Sequence, residues 1–238
     1  MNKKIFELKF TPKKEMNKYI KTGLVIFFFF IYPFFTFLPF KIFDGNIAFL
    51  PNSLKILYLI SFNIIFLGIL LIAYNKEMIR YYDDFKINGK TYISKTIRYW
   101  YLGLFIMILS NFIINTFTAN DLAENEQAVR ELLNIVPIYM LFSTIIYAPI
   151  VEEIICRQAL KDIIKGKWSF IIISSIFFGS AHVLNSMTSL SSLLYIIPYG
   201  ALGGVFAYAF YKTNNLFTAI SLHAIHNGIL ISLYLLIF

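Results

Sequence analysis

With 238 residues, 58% of them hydrophobic and only 14% charged, the chain is too apolar for a soluble domain, which is about 45–50% apolar and ~25% charged. Its net charge of +8 would suit a nucleic-acid partner, but the basic residues are sorted by loop, as in a multi-pass membrane protein, so none is expected. A single cysteine, Cys156, excludes an intrachain disulfide framework and a cysteine-rich metal site.

The N-terminal arm, Met1 to Lys21, carries seven lysines. The apolar run behind it passes through Pro39 and Phe40 without a small-residue cleavage site, so the first span is expected to be a retained anchor. Runs long enough to span, about 20 residues each, are Thr22–Phe40, Leu54–Tyr74, Tyr99–Ala119, Ile135–Cys156, Ser169–Val183, Leu190–Tyr211 and Leu216–Phe238. The expected fold is an all-α bundle of about seven transmembrane helices, or eight if the last run breaks. Asp121 to Glu131 reads as a short amphipathic turn outside the bilayer. The abundance of Phe, Tyr, Ile, Lys and Asn is what A/T-rich codons produce and points to a bacterial plasma membrane.

Loop charge sets the orientation. Loops on the side of the N-terminus hold 18 of the 21 lysines and arginines, and the alternation holds at every loop. The third loop has Arg130 alone against Asp121, Glu124, Glu126 and Glu131. The N-terminus is therefore expected in the cytoplasm and, with seven spans, the C-terminus outside.

The polar residues inside the spans need a reason, since an acid or a base at a helix centre costs roughly 2.5–3.5 kcal/mol even on lenient scales. Glu152 and Glu153 are adjacent in the fourth span, with Arg157 four residues beyond Glu153 on the same helical face. Glu153 and Arg157 can pair. Glu152 has no basic residue at i+3 or i+4, and a spare carboxylate in a dry site is a candidate general base. Pro149 frees a backbone carbonyl close by. Cys156 reads as core packing.

All three histidines lie in the last third: His182 ends the fifth span, and His223 and His226 lie in the seventh. His223 and Asn227 are four apart and share a face. Counting ~1.5 Å per residue from the charged helix ends puts Glu152, His182, His223 and Asn227 roughly 10–21 Å above the cytoplasmic side, with His182 highest. In the sixth span, Gly200 and Gly204 form a G-x-x-x-G, read as ordinary close packing.

These residues resemble the CAAX protease and bacteriocin-processing (CPBP, Abi) family of intramembrane proteases. Its pattern of E-E-x-x-x-R, F-x-x-x-H and H-x-x-x-N is filled in order by Glu152-Glu153 with Arg157, Phe178 with His182, and His223 with Asn227. The resemblance covers about Ile135 to Phe238. It divides the chain into an arm with three variable spans, 1–134, and a catalytic core, 135–238. It implies an endopeptidase acting on a membrane-associated protein or peptide. Glu152 and His182 would activate water, His223 and Asn227 would stabilise the oxyanion, and Glu153 with Arg157 would be structural. It leaves open whether Glu152, His182 and His223 also hold a divalent metal, zinc before others. His226 lies outside the pattern and is given no role.

Two other classes share features with the sequence. A proton-coupled transporter places acids and histidines in the membrane, but no inverted repeat or pair of broken helices is evident. A non-catalytic scaffold or bacteriocin-immunity protein could keep the same fold. There is no H-E-x-x-H and no G-x-S-G.

Reporter fusions test the orientation. A fusion near Asn125 should report the outside and one near Lys165 the cytoplasm; the opposite signal at either point would overturn the loop-charge reading.

Overall fold

The structure is a computed structural model and describes residues 17–42, 51–118, 122–184 and 186–237. Most of the lysine-rich arm and Asp121 lie outside the described residues. The rest is helical, with no strand among the described residues. The helices are α1 (Lys18–Ile42), α2 (Asn52–Ala73), α3 (Asn75–Thr118), α4 (Glu124–Ile135), α5 (Pro137–Ile163), α6 (Lys167–Leu184), α7 (Ile196–Thr213) and α8 (Leu216–Ile237). A 3-10 turn, Leu190–Tyr195, leads into α7.

Lipid offers no partner to a backbone N–H or C=O, so an apolar run must close its hydrogen bonds within itself. Six of these helices, α2, α3, α5, α6, α8 and α7 with its 3-10 turn, are long and apolar enough to cross a membrane. α1 occupies the first of the seven runs read from the sequence. α8 is continuous, so the eighth span does not arise. The protein is a multi-pass membrane protein with lipid as its environment.

The second loop of the sequence reading, Asn75 to Arg98, is helical throughout. α3 runs for 44 residues, ~66 Å, and only Tyr74 separates it from α2. Hydropathy reports where a helix leaves the apolar layer, not where it ends. This stretch has no proline, and its polar side chains support the helix, as when Asn88 Nδ2 donates to Asp84 Oδ1 at 2.7 Å.

α7 lies at the centre, against α3, α6 and α8. Phe206, Phe210, Ala207 and Ala209 on it are buried. Glycines set the α6–α7 spacing. A Cβ at Gly179 would lie 2.6 Å from the backbone oxygen of Ile196, and Ser175 Oγ donates to Gly200 O at 2.6 Å. The G-x-x-x-G is thus a packing surface.

Two tethers fix the helix ends on the side that carries most of the lysines and arginines. Asn214, in the left-handed region at φ 50°, ends α7 and accepts from Lys161 Nζ at 2.6 Å. Asn215 Nδ2 donates to Tyr81 O at 2.8 Å and Asp84 Oδ2 at 2.7 Å, while its Oδ1 accepts the Phe217 N–H that opens α8. At the opposite end Glu124 of α4 accepts from Ser192 and from Thr188 Oγ1, tying the 3-10 turn to α4.

Gly179→Ala should lower stability by about 1–3 kcal/mol, the usual cost of overpacking, because the new methyl meets backbone. Gly68→Ala, with nothing within 4 Å, is the control and should be neutral or better. Thermal unfolding in detergent, read by size-exclusion chromatography of the surviving fraction, compares the two.

Candidate active site

α5 is irregular where the site lies. It carries π turns at Ser143–Tyr147 and Ile154–Ala159, on either side of the regular stretch that holds Glu152 and Glu153. In the first, the Ala148 N–H reaches back five residues to Ser143 O. Pro149 has no N–H to continue that pattern to Thr144 O. Asn227 Nδ2 of α8 donates to Thr144 O instead, at 2.8 Å. The carbonyl freed by proline is therefore answered from another helix.

Glu153 and Arg157 are both fully buried and pair at 2.9 Å. Arg157 Nη2 also donates to Gly203 O of α7 at 3.1 Å, and its guanidinium lies over the Phe178 ring at 4.6 Å. Glu153 does more than the sequence reading assigned to it. Its Oε1 is 2.9 Å from His223 Nδ1 on α8. A carboxylate accepts, so Nδ1 carries a hydrogen, and in the neutral imidazole Nε2 is left with a lone pair. His182 is oriented in the same way: Nδ1 is 2.9 Å from Phe178 O, a carbonyl, so Nδ1 donates and Nε2 is free.

Both free Nε2 atoms face one oxygen. Glu152 Oε2 lies 3.6 Å from His182 Nε2 and 3.8 Å from His223 Nε2. That oxygen is sealed from solvent and has no hydrogen-bond partner among the described residues. Three groups on α5, α6 and α8 thus converge at distances longer than a direct hydrogen bond, of the kind a bridging water spans. His182, the outlier in the depth estimate, is brought level.

Aromatic rings hold the imidazoles. Phe206 stacks on His223 at 4.9 Å, Tyr199 stacks on His182 at 4.8 Å, and Phe178 lies 4.3 Å from His182 and 5.5 Å from His223 between centroids. Tyr199, Gly203 and Phe206 follow an i, i+4, i+7 pattern on α7. That signal was visible in the sequence, but an aromatic stripe at helical spacing is ordinarily core. His226, placed outside the pattern, is buried with Trp100 edge-on at 6.2 Å, and its Nδ1 has no hydrogen-bond partner among the described residues.

Glu152, Cys156, His182, His223, His226 and Asn227 all line one cavity of about 690 Å³. It extends to Asn125, Glu126 and Arg130 of α4, between walls that include Met107, Leu133, Met140 and Ile231. An apolar cleft of this volume with a few convergent polar groups is what a binding site looks like. The donor types of Glu152, His182 and His223 suit zinc, but among the described residues no group of three His, Cys, Asp or Glu side chains is arranged to hold a metal ion.

A membrane-embedded helical bundle with two histidines gathered on a glutamate defines a class, and comparison with known proteins narrows it. Residues 134–229 match the family described as "Type II CAAX prenyl endopeptidase Rce1-like". The chain is 29% identical over 157 residues to "Putative membrane peptidase YdiL" of Bacillus subtilis, covering 62% of this chain and 61% of that protein. It is 38% identical over 97 residues to an uncharacterized protein of Mycoplasma capricolum, covering 40% of this chain and 26% of that one. No solved structure matches. Residues 134–229 thus resemble a family of CAAX endopeptidases, and they are the part of the chain that carries the glutamates and histidines of the site.

The buried charges give a stability test. Glu153→Gln or Arg157→Gln strands the partner, which costs about 3–5 kcal/mol. Each should sharply reduce folded protein recovered in detergent, and the double variant should lose less than the two losses added, because the groups are in contact.

Proposed function

We propose that this chain is an intramembrane endopeptidase that hydrolyses a peptide bond of a membrane-associated protein or peptide. The observation that carries the reading is the convergence of His182 Nε2 and His223 Nε2 on Glu152 Oε2 in the wall of the cavity. The family match and the membrane-peptidase name of the Bacillus relative support it. The catalytic core is residues 135–238, and the arm with its three spans is accessory. The two relatives, both bacterial, support a bacterial plasma membrane, with the N-terminus cytoplasmic as the loop charges indicate.

In the proposed reaction a water held among the three acceptors gives a proton to Glu152, assisted by His182, and its oxygen attacks the peptide carbonyl carbon. The carbonyl becomes an oxyanion in a site of low dielectric, where fixed donors are worth most. Asn227 has a second amide hydrogen beyond the one spent on Thr144 O. His223 as oriented is an acceptor at Nε2 and becomes a donor only when it too holds a proton, with Glu153 beneath it as the charge partner. The proton then passes to the amide nitrogen as the C–N bond breaks, leaving a carboxylic acid and an amine, and the acid gives its proton to the amine or to water. Metal content measured on active protein tests whether Glu152, His182 and His223 also hold a divalent metal, and zinc is the first to look for.

Single-turnover cleavage of one peptide separates the roles. Glu152→Gln should abolish turnover with the fold intact. His182→Ala should cost about as much and the double variant little more, since groups that act as one unit are strongly non-additive. Asn227→Ala should retain activity lowered ~10²–10³-fold, as for a lost oxyanion donor. Near-normal cleavage by Glu152→Gln would sink the mechanism.

A further inference from the structure

Away from the cavity, three cations from three helices gather round a pair of phenols. Arg98 Nη2 of α3 donates to Tyr99 Oη at 2.8 Å, and Lys212 Nζ of α7 donates to the same oxygen at 3.3 Å. Tyr208 Oη lies 3.5 Å from it. Lys212 stands over both rings, 4.8 Å from the centroid of Tyr99 and 5.6 Å from that of Tyr208. Lys167, at the start of α6, lies over the same Tyr208 ring at 5.3 Å. Two ammonium groups thus share one ring, with a guanidinium beside them.

Arg98 and Lys212 share one phenol oxygen, where like charges repel and nearby acids would normally balance them. Among the described residues no carboxylate pairs with Arg98, Lys167 or Lys212. The acids on this side of the bundle are engaged elsewhere. Glu77 and Asp162 are taken by Lys21, Asp83 by Lys86, and Asp84 by Asn215, Asn88 and Tyr92. The cluster is therefore rich in donors: a guanidinium, two ammonium groups and the Tyr99 hydroxyl, whose oxygen also accepts from Tyr208 Oη. Such a set recognises a tetrahedral oxyanion through charge-assisted hydrogen bonds.

Position narrows the anion. Trp168 lies under Lys167 at 4.7 Å and is exposed, as are Tyr211 and Tyr101 close by in sequence, and aromatic residues of this kind sit at the level of the lipid headgroups. None of the clustered residues lines the cavity that holds Glu152. We propose that Arg98, Lys167, Lys212 and the Tyr99 hydroxyl form a binding site for the phosphate of an anionic phospholipid headgroup. Seated there, the lipid neutralises the three cations and joins the middle of α3 to the start of α6 and the end of α7. The site is independent of the proposed peptidase activity.

Native mass spectrometry of the full chain in neutral detergent tests this, with short-chain phosphatidylglycerol and phosphatidylcholine as probes. Wild type should retain phosphatidylglycerol in preference to phosphatidylcholine. Arg98→Gln with Lys212→Gln should bind it about tenfold or more weakly, in line with the contribution of basic residues at anionic membrane surfaces. Lys161→Gln, whose ammonium is held by Asn214 instead, should bind as wild type does. Lys167→Gln alone removes one charge of the cluster, and it should weaken binding in the same direction even if the double variant fails to fold. Equal retention by wild type and Lys167→Gln, or by wild type and a folded double variant, would overturn the site. Displacement of the lipid by inorganic phosphate at equal concentration would overturn the lipid assignment in favour of a free-anion site.

Discussion

The fold turns on a pair of charges with no water around them. Glu153 and Arg157 are sealed inside an apolar bundle, where each ion loses several kcal/mol of hydration. Their mutual attraction alone is poor compensation. Each therefore has further partners on other helices: Arg157 reaches Gly203 O on α7 and the face of Phe178 on α6, and Glu153 reaches His223 on α8. What looks in the sequence like one i, i+4 pair is the point where four helices are fixed relative to one another. Sliding any of them would leave part of a buried charge unanswered, so the ion pair sets the geometry of the candidate site as well as the stability of the fold.

The same rule governs the backbone. Irregular main chain is tolerated at membrane depth only where its free groups find partners. The π turn before Glu152 and the missing N–H of Pro149 leave Thr144 O without an intrahelical donor, and Asn227 supplies one. That bond fixes the rotation of α8. His223, one turn before Asn227, is thereby turned toward α5, where Glu153 and Glu152 receive its two ring nitrogens. Asn227 thus has a structural task whatever chemistry it performs.

These two cases show what a sequence reader can and cannot see. The apolar runs, the sorting of basic residues by loop and the pairing of Glu153 with Arg157 are local patterns, legible from composition and helical period. The three short motifs named Glu152, Glu153, Arg157, Phe178, His182, His223 and Asn227, but not Tyr199 and Phe206, which stack on the imidazoles, or His226. The partner of Glu153 on α8 is 70 residues away, and that of Asn227 on α5 is 83. No periodicity within one helix reports a contact between two. Nor does hydropathy separate a polar helix from a polar loop, which is why the first half of α3 was read as a connection. Counting residues assumes upright helices and puts His182 highest, whereas contacts between helices, invisible to such a count, bring its Nε2 to 3.6 Å from Glu152 Oε2.

Hydrogen-bond direction carries the argument one step further than position. Each imidazole spends its N–H on the side away from Glu152, one on a carbonyl and the other on a carboxylate. The atoms that meet at Glu152 Oε2 are thus all acceptors in the neutral tautomers, and acceptors alone do not attract one another. The arrangement selects something that donates. A water molecule has two hydrogens for three acceptors, so two bonds can hold it, and the proton passes along one of those bonds to its acceptor. Its oxygen keeps a lone pair for the cavity, where a peptide carbonyl would arrive. Turning either imidazole over would put an N–H toward Glu152, satisfy the carboxylate directly and remove the reason for water to bind. The bond from Glu153 to His223 Nδ1 and that from His182 Nδ1 to Phe178 O hold the rings the right way round, so in the proposed reaction these two remote bonds matter as much as Glu152 itself.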